Sequence, residues 1–177
     1  MKALVSAFVI LVSLSIAFAD PFVVLVRHAE KGTNSDKDPD LSPAGVARAN
    51  ALARMLKDAG IVAIFVTEFK RTQETAAATA RLLGITPTVI PANDTATLVG
   101  KLRELKGNAL VVGHGNSLPD LAKAIGISTP ISIPEDDYTD IFVVTLNDRS
   151  ELFRLHYPND LPSFNGYNVK TQSSPNK

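Results

Sequence analysis

The stretch Phe22-Val-Val-Leu-Val-Arg-His-Ala-Glu30 decides the fold of this chain. Its first five residues are apolar and rich in β-branched side chains, a pattern typical of a short strand buried on both faces. Residues 61–66 and 109–112 repeat this pattern. Because such strands belong to parallel sheets covered by helices, we expect Arg27 and His28 to lie at the carboxyl end of a buried strand.

The segments between these strands carry apolar residues at helical spacing. The predicted helices cover residues 43–59, 72–83, 95–105 and 118–125, and a weaker strand covers residues 86–90. Ser42 and Asp94 are the expected N-caps of the first and third helices, because their side-chain oxygens can accept bonds from free helix amides. Glycines follow three of the helices, at positions 60, 84 and 126, as is common at helix C-termini.

Strands that alternate with helices indicate βαβ units, whose sheet is parallel and carries helices on both faces. Residues 141–146, the turn 147–150 and residues 151–157 then predict an antiparallel hairpin. We therefore expect an α/β fold, a single doubly wound three-layer α/β/α domain over residues 20–158. Its sheet is mostly parallel and ends in the C-terminal antiparallel hairpin. The polar segment 159–177 is expected to be a flexible tail.

Residues 1–19 have the three parts of a secretory signal peptide. Lys2 gives a basic start, an uncharged apolar run follows, and Ala17-Phe18-Ala19 fits the small-x-small rule for cleavage. An uncleaved anchor and a buried core helix are the alternatives. The pattern favours an exported protein, periplasmic or secreted, with no stable membrane association once the signal is removed.

The composition excludes several classes of protein. The 177 residues contain 18 Lys+Arg and 18 Asp+Glu, whereas a nucleic-acid binder normally shows a basic excess. Hydrophobic residues make up 45% of the chain, too many for a largely disordered protein. The sequence has no cysteine, which excludes a disulfide scaffold, thiolate zinc and a cysteine nucleophile.

Two of the three histidines directly follow predicted strands. His28 lies beside Arg27, and His114 lies between two glycines. In open α/β sheets, ligands bind at the carboxyl ends of the strands, so both imidazoles are candidates for a functional site. His156 falls inside the last predicted strand, and we interpret it as a structural residue.

Arg71 stands near the start of the second predicted helix, where a cation opposes the helix dipole. A bound anion would explain it, because free helix amides and a guanidinium both favour anions. A solvated surface arginine is the alternative. Together with Arg27 and the two imidazoles, Arg71 suits a phosphoryl group, which needs positive charge around its oxygens and an in-line nucleophile. A neutral histidine can supply that nucleophile without a metal.

These motifs resemble those of the histidine phosphatase superfamily, the phosphoglycerate-mutase-like group. The resemblance rests on Val26-Arg27-His28-Ala29-Glu30-Lys31, Lys70-Arg71-Thr72-Gln73-Glu74-Thr75-Ala76 and Val112-Gly113-His114-Gly115-Asn116-Ser117. The segment Leu41-Ser42-Pro43-Ala44-Gly45 also resembles the family's lead into its first helix. The similar region runs from Phe22 to Leu146.

The resemblance implies a phosphatase in which His28 is the nucleophile and forms a phosphohistidine intermediate. The residues that it implies for holding the phosphoryl group and the substrate are Arg27, Arg71, His114, Gly115 and Asn116. It implies no metal and no organic cofactor. The expected partner is a small phosphorylated substrate, either a phosphomonoester or a phosphoramidate.

Two positions depart from the family pattern. Ala29 replaces the usual glycine, a small-for-small change that we expect to be tolerated. Gly115 stands where one branch of the family carries an acid, so the proton donor is open. The candidate donors are Glu30 and Asp94 first, then Glu68 and Asp120. Without a strong acid, the chain would favour substrates with a good leaving group.

Two other functions stay open at this point. A non-catalytic protein could bind a phosphate ester in the same pocket. A metal site could use His28, Glu30 and His114, since imidazoles and carboxylates bind zinc. Two arginines directed at the same point argue against a cation there.

Overall fold

The computed structural model describes residues 20–35, 37–147 and 149–158. The predicted signal peptide, residues 1–19, and the predicted tail, residues 159–177, lie outside these residues. No helix within the described part of the chain is both long and apolar enough to cross a membrane.

Six strands and four helices alternate through the described residues. The strands are β1 (Phe22–Arg27), β2 (Ile61–Val66), β3 (Thr88–Val89), β4 (Asn108–Gly113), β5 (Asp140–Thr145) and β6 (Leu152–His156). The helices are α1 (Pro43–Leu56), α2 (Lys70–Leu83), α3 (Thr95–Glu104) and α4 (Ser117–Ala124). This order confirms the predicted alternation.

One mixed sheet joins all six strands in the order β3-β2-β4-β1-β5-β6. The first four strands of the chain are mutually parallel, and β5 and β6 form the predicted antiparallel hairpin beside β1. Strand β1 is therefore central, with β4 on one side and β5 on the other. The carboxyl ends of β1, β2 and β4 consequently meet at one edge of the sheet.

The alternation of side chains along β1 divides the core into two layers. Val23 and Leu25 belong to a buried cluster that includes Leu118 of α4. Val24 lies on the opposite face, in a cluster that includes Leu52 of α1. Fully burying one such side chain contributes roughly 1.5–3 kcal/mol to stability. Helices thus cover both faces of the sheet, and the three-layer α/β/α prediction is confirmed.

Helices α1 and α3 begin at the predicted caps. The Ser42 hydroxyl accepts a hydrogen bond from the Gly45 amide at 3.1 Å. The Asp94 carboxylate accepts one from the Thr97 amide at 3.0 Å. Helix α1 ends at Leu56, earlier than the predicted residue 59, because the chain already turns there toward β2.

Strand β6, the second strand of the predicted hairpin, is the edge strand of the sheet and is largely exposed. Phe153 and Leu155 are about half exposed, at 53% and 49%. The His156 side chain is also exposed, and its Nδ1 atom lies 3.1 Å from a carboxylate oxygen of the buried Asp140. His156 thus contacts Asp140 at the edge of the sheet and does not line the cleft formed by the other two histidines.

Gly45 allows α1 to lie directly against the loop that follows β1. A Cβ atom at this position would overlap the carbonyl oxygen of Glu30. The same carbonyl accepts a hydrogen bond from the Ser42 amide at 2.9 Å. Because the obstacle is hydrogen-bonded backbone, it cannot yield without moving the loop that carries His28.

Substitution Gly45→Ala should lower the free energy of unfolding by about 1–3 kcal/mol, the usual cost of overpacking. Urea denaturation followed by circular dichroism measures this change. Gly100→Ala is the matched control, because a Cβ at this position of α3 meets nothing within 4 Å. The control should be neutral or stabilising by roughly 0.5–1 kcal/mol, since alanine favours a helix over glycine. Equal effects of the two substitutions would contradict the steric argument.

Candidate active site

The pairing of β1 with β4 brings His28 and His114 together. Arg27 stands opposite Gly113 in the parallel register, and the His28 amide donates to the Gly113 carbonyl at 2.9 Å. The centroids of the two imidazole rings are 5.4 Å apart. Both residues are buried, with 4% and 8% of their surfaces exposed. The structure therefore places the two histidines at one point of the sheet edge.

The hydrogen bonding of His28 determines which of its ring nitrogens is free. Its Nδ1 atom lies 2.8 Å from the Ala29 carbonyl oxygen. A carbonyl oxygen can only accept, so in the neutral ring Nδ1 carries the proton and donates it to Ala29. The Nε2 atom then holds an unshared electron pair. A neutral His28 can therefore offer the electron pair of Nε2 to a ligand.

Burial keeps both imidazoles neutral. Burial is the main cause that lowers the pKa of His28 to about 4, and the charges of Arg27 and Arg71 lower it further, while the Ala29 hydrogen bond opposes them. Burial also lowers the pKa of His114 to about 4, again with a contribution from Arg71. Both side chains are therefore uncharged at neutral pH.

A chain of threonine hydroxyls holds the ring of His114. Its Nε2 atom lies 3.1 Å from Oγ1 of Thr67, the residue that follows β2. That oxygen lies 2.9 Å from Oγ1 of Thr72 in the first turn of α2. The Thr72 hydroxyl in turn reaches the Phe69 carbonyl oxygen at 2.8 Å. The start of α2 thus fixes the orientation of the second histidine.

Thr75, one turn further along α2, connects the His28 loop to the second arginine. Its hydroxyl donates to the Arg71 carbonyl at 2.6 Å and accepts from the Ala29 amide at 2.9 Å. Ala29 itself is fully buried, and no non-glycine residue in the described part of the chain has a positive φ. The alanine in place of glycine is accordingly accommodated without backbone strain.

One nitrogen of the Arg27 guanidinium is hydrogen-bonded to the protein, and another has no partner within the described residues. Its Nη1 atom donates to the carbonyl oxygens of Pro134 at 2.8 Å and Asp137 at 3.0 Å. The ring of Tyr138 stacks under the guanidinium, with Cζ 4.3 Å from the ring centroid. The Nε–H group is buried and has no hydrogen-bond partner within the described residues.

Arg71 shows the same pattern. Its Nη1 atom lies 3.6 Å from the Asp38 carboxylate, its Cζ lies 4.2 Å from the Phe69 ring centroid, and its buried Nε–H group has no partner. Asp38 also accepts a hydrogen bond from the Lys70 amide at 3.1 Å. A carboxylate of the chain itself, that of Asp38, thus lies near the α2 N-terminus, where the sequence predicts a bound anion. Arg71 still presents an unpaired donor.

One cleft of about 430 Å³ contains these groups, a size within the range of small-ligand sites. Its lining includes all the predicted catalytic and substrate-binding residues, namely Arg27, His28, Arg71, His114, Gly115 and Asn116. Lys31, Ile133 and Glu135 complete the lining. The predicted residues are therefore brought together, and two further charged side chains join them.

Glu30, a candidate proton donor, is engaged elsewhere. The Arg48 guanidinium donates to both of its carboxylate oxygens, with Nε–Oε2 at 2.9 Å. Partial burial raises the pKa of the Glu30 carboxyl, but the hydrogen bonds from Arg48 outweigh this effect and hold the pKa below its ordinary value. Glu30 is thus an ionised partner of α1 and does not line the cleft.

The other three candidate donors also lie outside the cleft lining. Asp94 caps α3, and its hydrogen bond from the Thr97 amide lowers the pKa of its carboxyl. Glu68 accepts a hydrogen bond from the Ala92 amide at 2.9 Å. Asp120 lies in the first turn of α4. The geometry therefore favours none of these carboxylates as a donor.

Among the described residues, no group of three or more His, Asp and Glu side chains could hold a metal ion. The metal set considered from the sequence was His28, Glu30 and His114. Because both oxygens of Glu30 bind Arg48, this set does not assemble.

Sequence reasoning missed the residues that support the site. Thr67 belongs to no motif, and Thr72 and Thr75 lie in the second motif without an assigned role, although both share the buried face of α2. Polar side chains at this spacing on a face directed at the core were a usable signal. Tyr138 and Glu135 come from the irregular segment before β5, where no sequence pattern indicates proximity to β1.

Both cleft imidazoles should titrate near pH 4 instead of near the 6.5 of an exposed histidine. NMR titration of the ring nitrogens measures this, with His28→Asn and His114→Asn assigning the signals. Since unfolded histidines take up protons near pH 6.5, stability should be full above that pH. It should fall as the pH decreases toward 4, where the folded rings also become protonated. Midpoints near 6.5 for both rings would contradict this prediction.

Comparison with known protein sequences gives two findings. Residues 23–93 match the family model of the histidine phosphatase superfamily, branch 1. Curated protein sequences give no significant match.

Solved structures share the fold at low sequence identity. The protein histidine phosphatase SixA in complex with tungstate is 19% identical with a TM-score of 0.62, covering 76% of this chain and 96% of that one. The α-ribazole phosphatase from Shigella flexneri is 16% identical with a TM-score of 0.62, covering 76% and 96%. Mycobacterial glucosyl-3-phosphoglycerate phosphatase is 15% identical with a TM-score of 0.60, covering 79% and 100%. The chain is therefore similar to the histidine phosphatase superfamily over residues 23–93, and it shares the fold of these solved phosphatases.

Proposed function

We propose that this protein is a phosphatase that hydrolyses a phosphomonoester, or a phosphoramidate, through a phosphohistidine intermediate on His28. The observation that carries this proposal is the pair of buried, unpartnered Nε–H groups of Arg27 and Arg71. Both arginines line the same cleft as His28. A buried donor without a partner costs roughly 1–3 kcal/mol, and the oxygens of a phosphoryl group would satisfy both donors.

The first chemical step is a transfer to the imidazole. The electron pair on Nε2 of His28 attacks phosphorus, a P–N bond forms, and the bond to the leaving group breaks with its electron pair. Positive charge develops on the ring, and the Nδ1–H bond to the Ala29 carbonyl stabilises it. Arg27 and Arg71 neutralise the non-bridging oxygens, where phosphoryl transfer concentrates negative charge.

The second step is hydrolysis of the intermediate. A water molecule attacks phosphorus, the P–N bond breaks, and its electron pair returns to Nε2, which restores the neutral imidazole. His114 is neutral and held by Thr67. It would therefore offer the phosphoryl group a polar contact without adding charge to the cleft. The steps use no metal ion, because the two guanidinium groups supply the positive charge.

The positive charge of the cleft lining indicates the substrate class. Lys31 and the two arginines make its lining cationic, which suits a phosphate dianion. The structurally similar proteins include a protein histidine phosphatase, an α-ribazole phosphatase and a glucosyl-3-phosphoglycerate phosphatase. We propose a phosphorylated small molecule, such as a phosphorylated sugar, lipid headgroup or envelope glycan, as the substrate of an exported protein.

The test is an assay of the purified protein with an activated aryl phosphate, with and without a chelator. We expect turnover that resists the chelator and that falls at least about 10³-fold in His28→Ala, since the variant lacks the nucleophile. Acid quenching should trap acid-labile phosphate in the wild type and none in the variant. The matched control is His156→Ala, an exposed histidine outside the cleft, which should keep wild-type activity.

Other outcomes point elsewhere. Phosphate-ester binding without turnover would favour a non-catalytic binding protein. Turnover that the chelator abolishes would favour a metal site. Phosphate trapped on a residue other than His28 would overturn the assignment of the nucleophile.

We also propose that the chain is exported and cleaved after Ala19. The support is the order of a basic start, an apolar run and Ala17-Phe18-Ala19. Expression of the full chain in a bacterium, followed by amino-terminal sequencing of the exported fraction, should give Asp20 as the first residue. The variant Ala19→Leu should slow processing. A product that begins at Met1 and stays in the cytosol would contradict the proposal.

A further inference from the structure

The segment between α4 and β5 places one more carboxylate in the cleft. Residues 134–137 form a turn in which the Asp137 amide donates to the Pro134 carbonyl at 3.1 Å. Glu135, the second residue of this turn, lines the cleft with His28 and His114. We propose that Glu135 is the proton donor and acceptor for the reaction at His28, a proposal that rests on the phosphatase function proposed above.

Glu135 differs from the other carboxylates around the site because its side chain is not engaged. Within the described part of the chain, its carboxylate has neither a hydrogen-bond partner nor an ion-pair partner. The engaged carboxylates and their partners are Glu30 with Arg48, Asp38 with Lys70 and Arg71, Glu68 with Ala92, Glu74 with Leu41, Asp94 with Thr97 and Asp137 with Thr139. Of all of these, Glu135 alone lines the cleft, and it is exposed and free to meet a ligand.

The position of Glu135 is set by the residue next to the nucleophile. Nη1 of Arg27 binds the carbonyl oxygens at both ends of the turn, those of Pro134 and Asp137. Tyr138 adds a second contact, since its ring stacks on the Arg27 guanidinium and its centroid lies 6.0 Å from that of His28. The turn is therefore docked on the phosphate-binding arginine itself.

This arrangement assigns different tasks to the two parts of the Arg27 guanidinium. Within the described residues its Nε–H group has no hydrogen-bond partner, whereas Nη1 is occupied by the turn. A phosphoryl group that binds to Arg27 would therefore lie near the turn that carries Glu135. Geometry of this kind is what a general acid needs, because it must reach the oxygen that departs.

The proposed step balances as follows. As the P–N bond to His28 forms and the P–O bond breaks, the Glu135 carboxylic acid gives its proton to the leaving oxygen, which departs as an alcohol. The resulting carboxylate then accepts a proton from the water that attacks the phosphohistidine. Inorganic phosphate leaves, the electron pair of the P–N bond returns to Nε2, and Glu135 is again protonated.

The experiment compares two leaving groups in the full-length protein and in Glu135→Gln. With an alkyl phosphate such as glycerol phosphate, the single-turnover rate of phosphoenzyme formation should fall about 10²–10⁴-fold, the usual contribution of a general acid. With p-nitrophenyl phosphate, whose leaving group needs no proton, the burst of nitrophenol should keep its rate. The later steady-state turnover should slow, because hydrolysis has lost its base.

The matched control is Asp136→Asn, which removes a charge from the next residue of the same turn, outside the cleft lining. It should leave both rates at the wild-type level. Equal loss on both substrates in Glu135→Gln would overturn the proposal in favour of a merely structural role, and no loss on either would overturn it as well. Failure of the phosphatase function looks different, since wild type would then turn over neither substrate, or His28→Ala would turn over both.

Discussion

The hydrogen bond from the His28 amide to the Gly113 carbonyl extends the β1–β4 ladder by one residue beyond β1. Every distance in the site depends on this register. Shifting it by one residue would move His28 to the opposite face of the sheet. The parallel arrangement matters equally, because it places the ends of β1 and β4 at the same edge. Two polar segments far apart in sequence thereby become a single buried site.

The sheet, and the grouping of Arg27, His28 and His114 at its carboxyl edge, could be predicted from the sequence. Strands buried on both faces are short apolar runs, and the residues that directly follow them must lie at the carboxyl edge. His28, Arg27 and His114 all meet this condition. Arg71 does not directly follow a strand, but it lies in the first turn of α2, the helix that comes after β2. For these residues, position in the chain and position in space are closely linked.

The supporting residues could not be predicted in this way. Glu30 is a candidate proton donor by sequence, yet the fold pairs it with Arg48 of α1. Glu135 had no motif, yet a turn that docks on Arg27 brings it to the cleft. Both outcomes depend on contacts between segments with no periodic pattern. The paired or free state of a carboxylate is a tertiary property, which sequence spacing does not contain.

The bridging hydroxyl of Thr75 has a consequence for ligand binding. Because it accepts from the Ala29 amide while it donates to the Arg71 carbonyl, the loop that carries His28 cannot separate from α2 without breaking this pair of hydrogen bonds. The conformational entropy of ordering these parts is therefore lost during folding and not when a substrate arrives. Such a preorganised site can bind a small anion that offers little surface of its own. Its affinity then comes from the rigidity of the protein, and large contacts with the rest of the substrate are unnecessary.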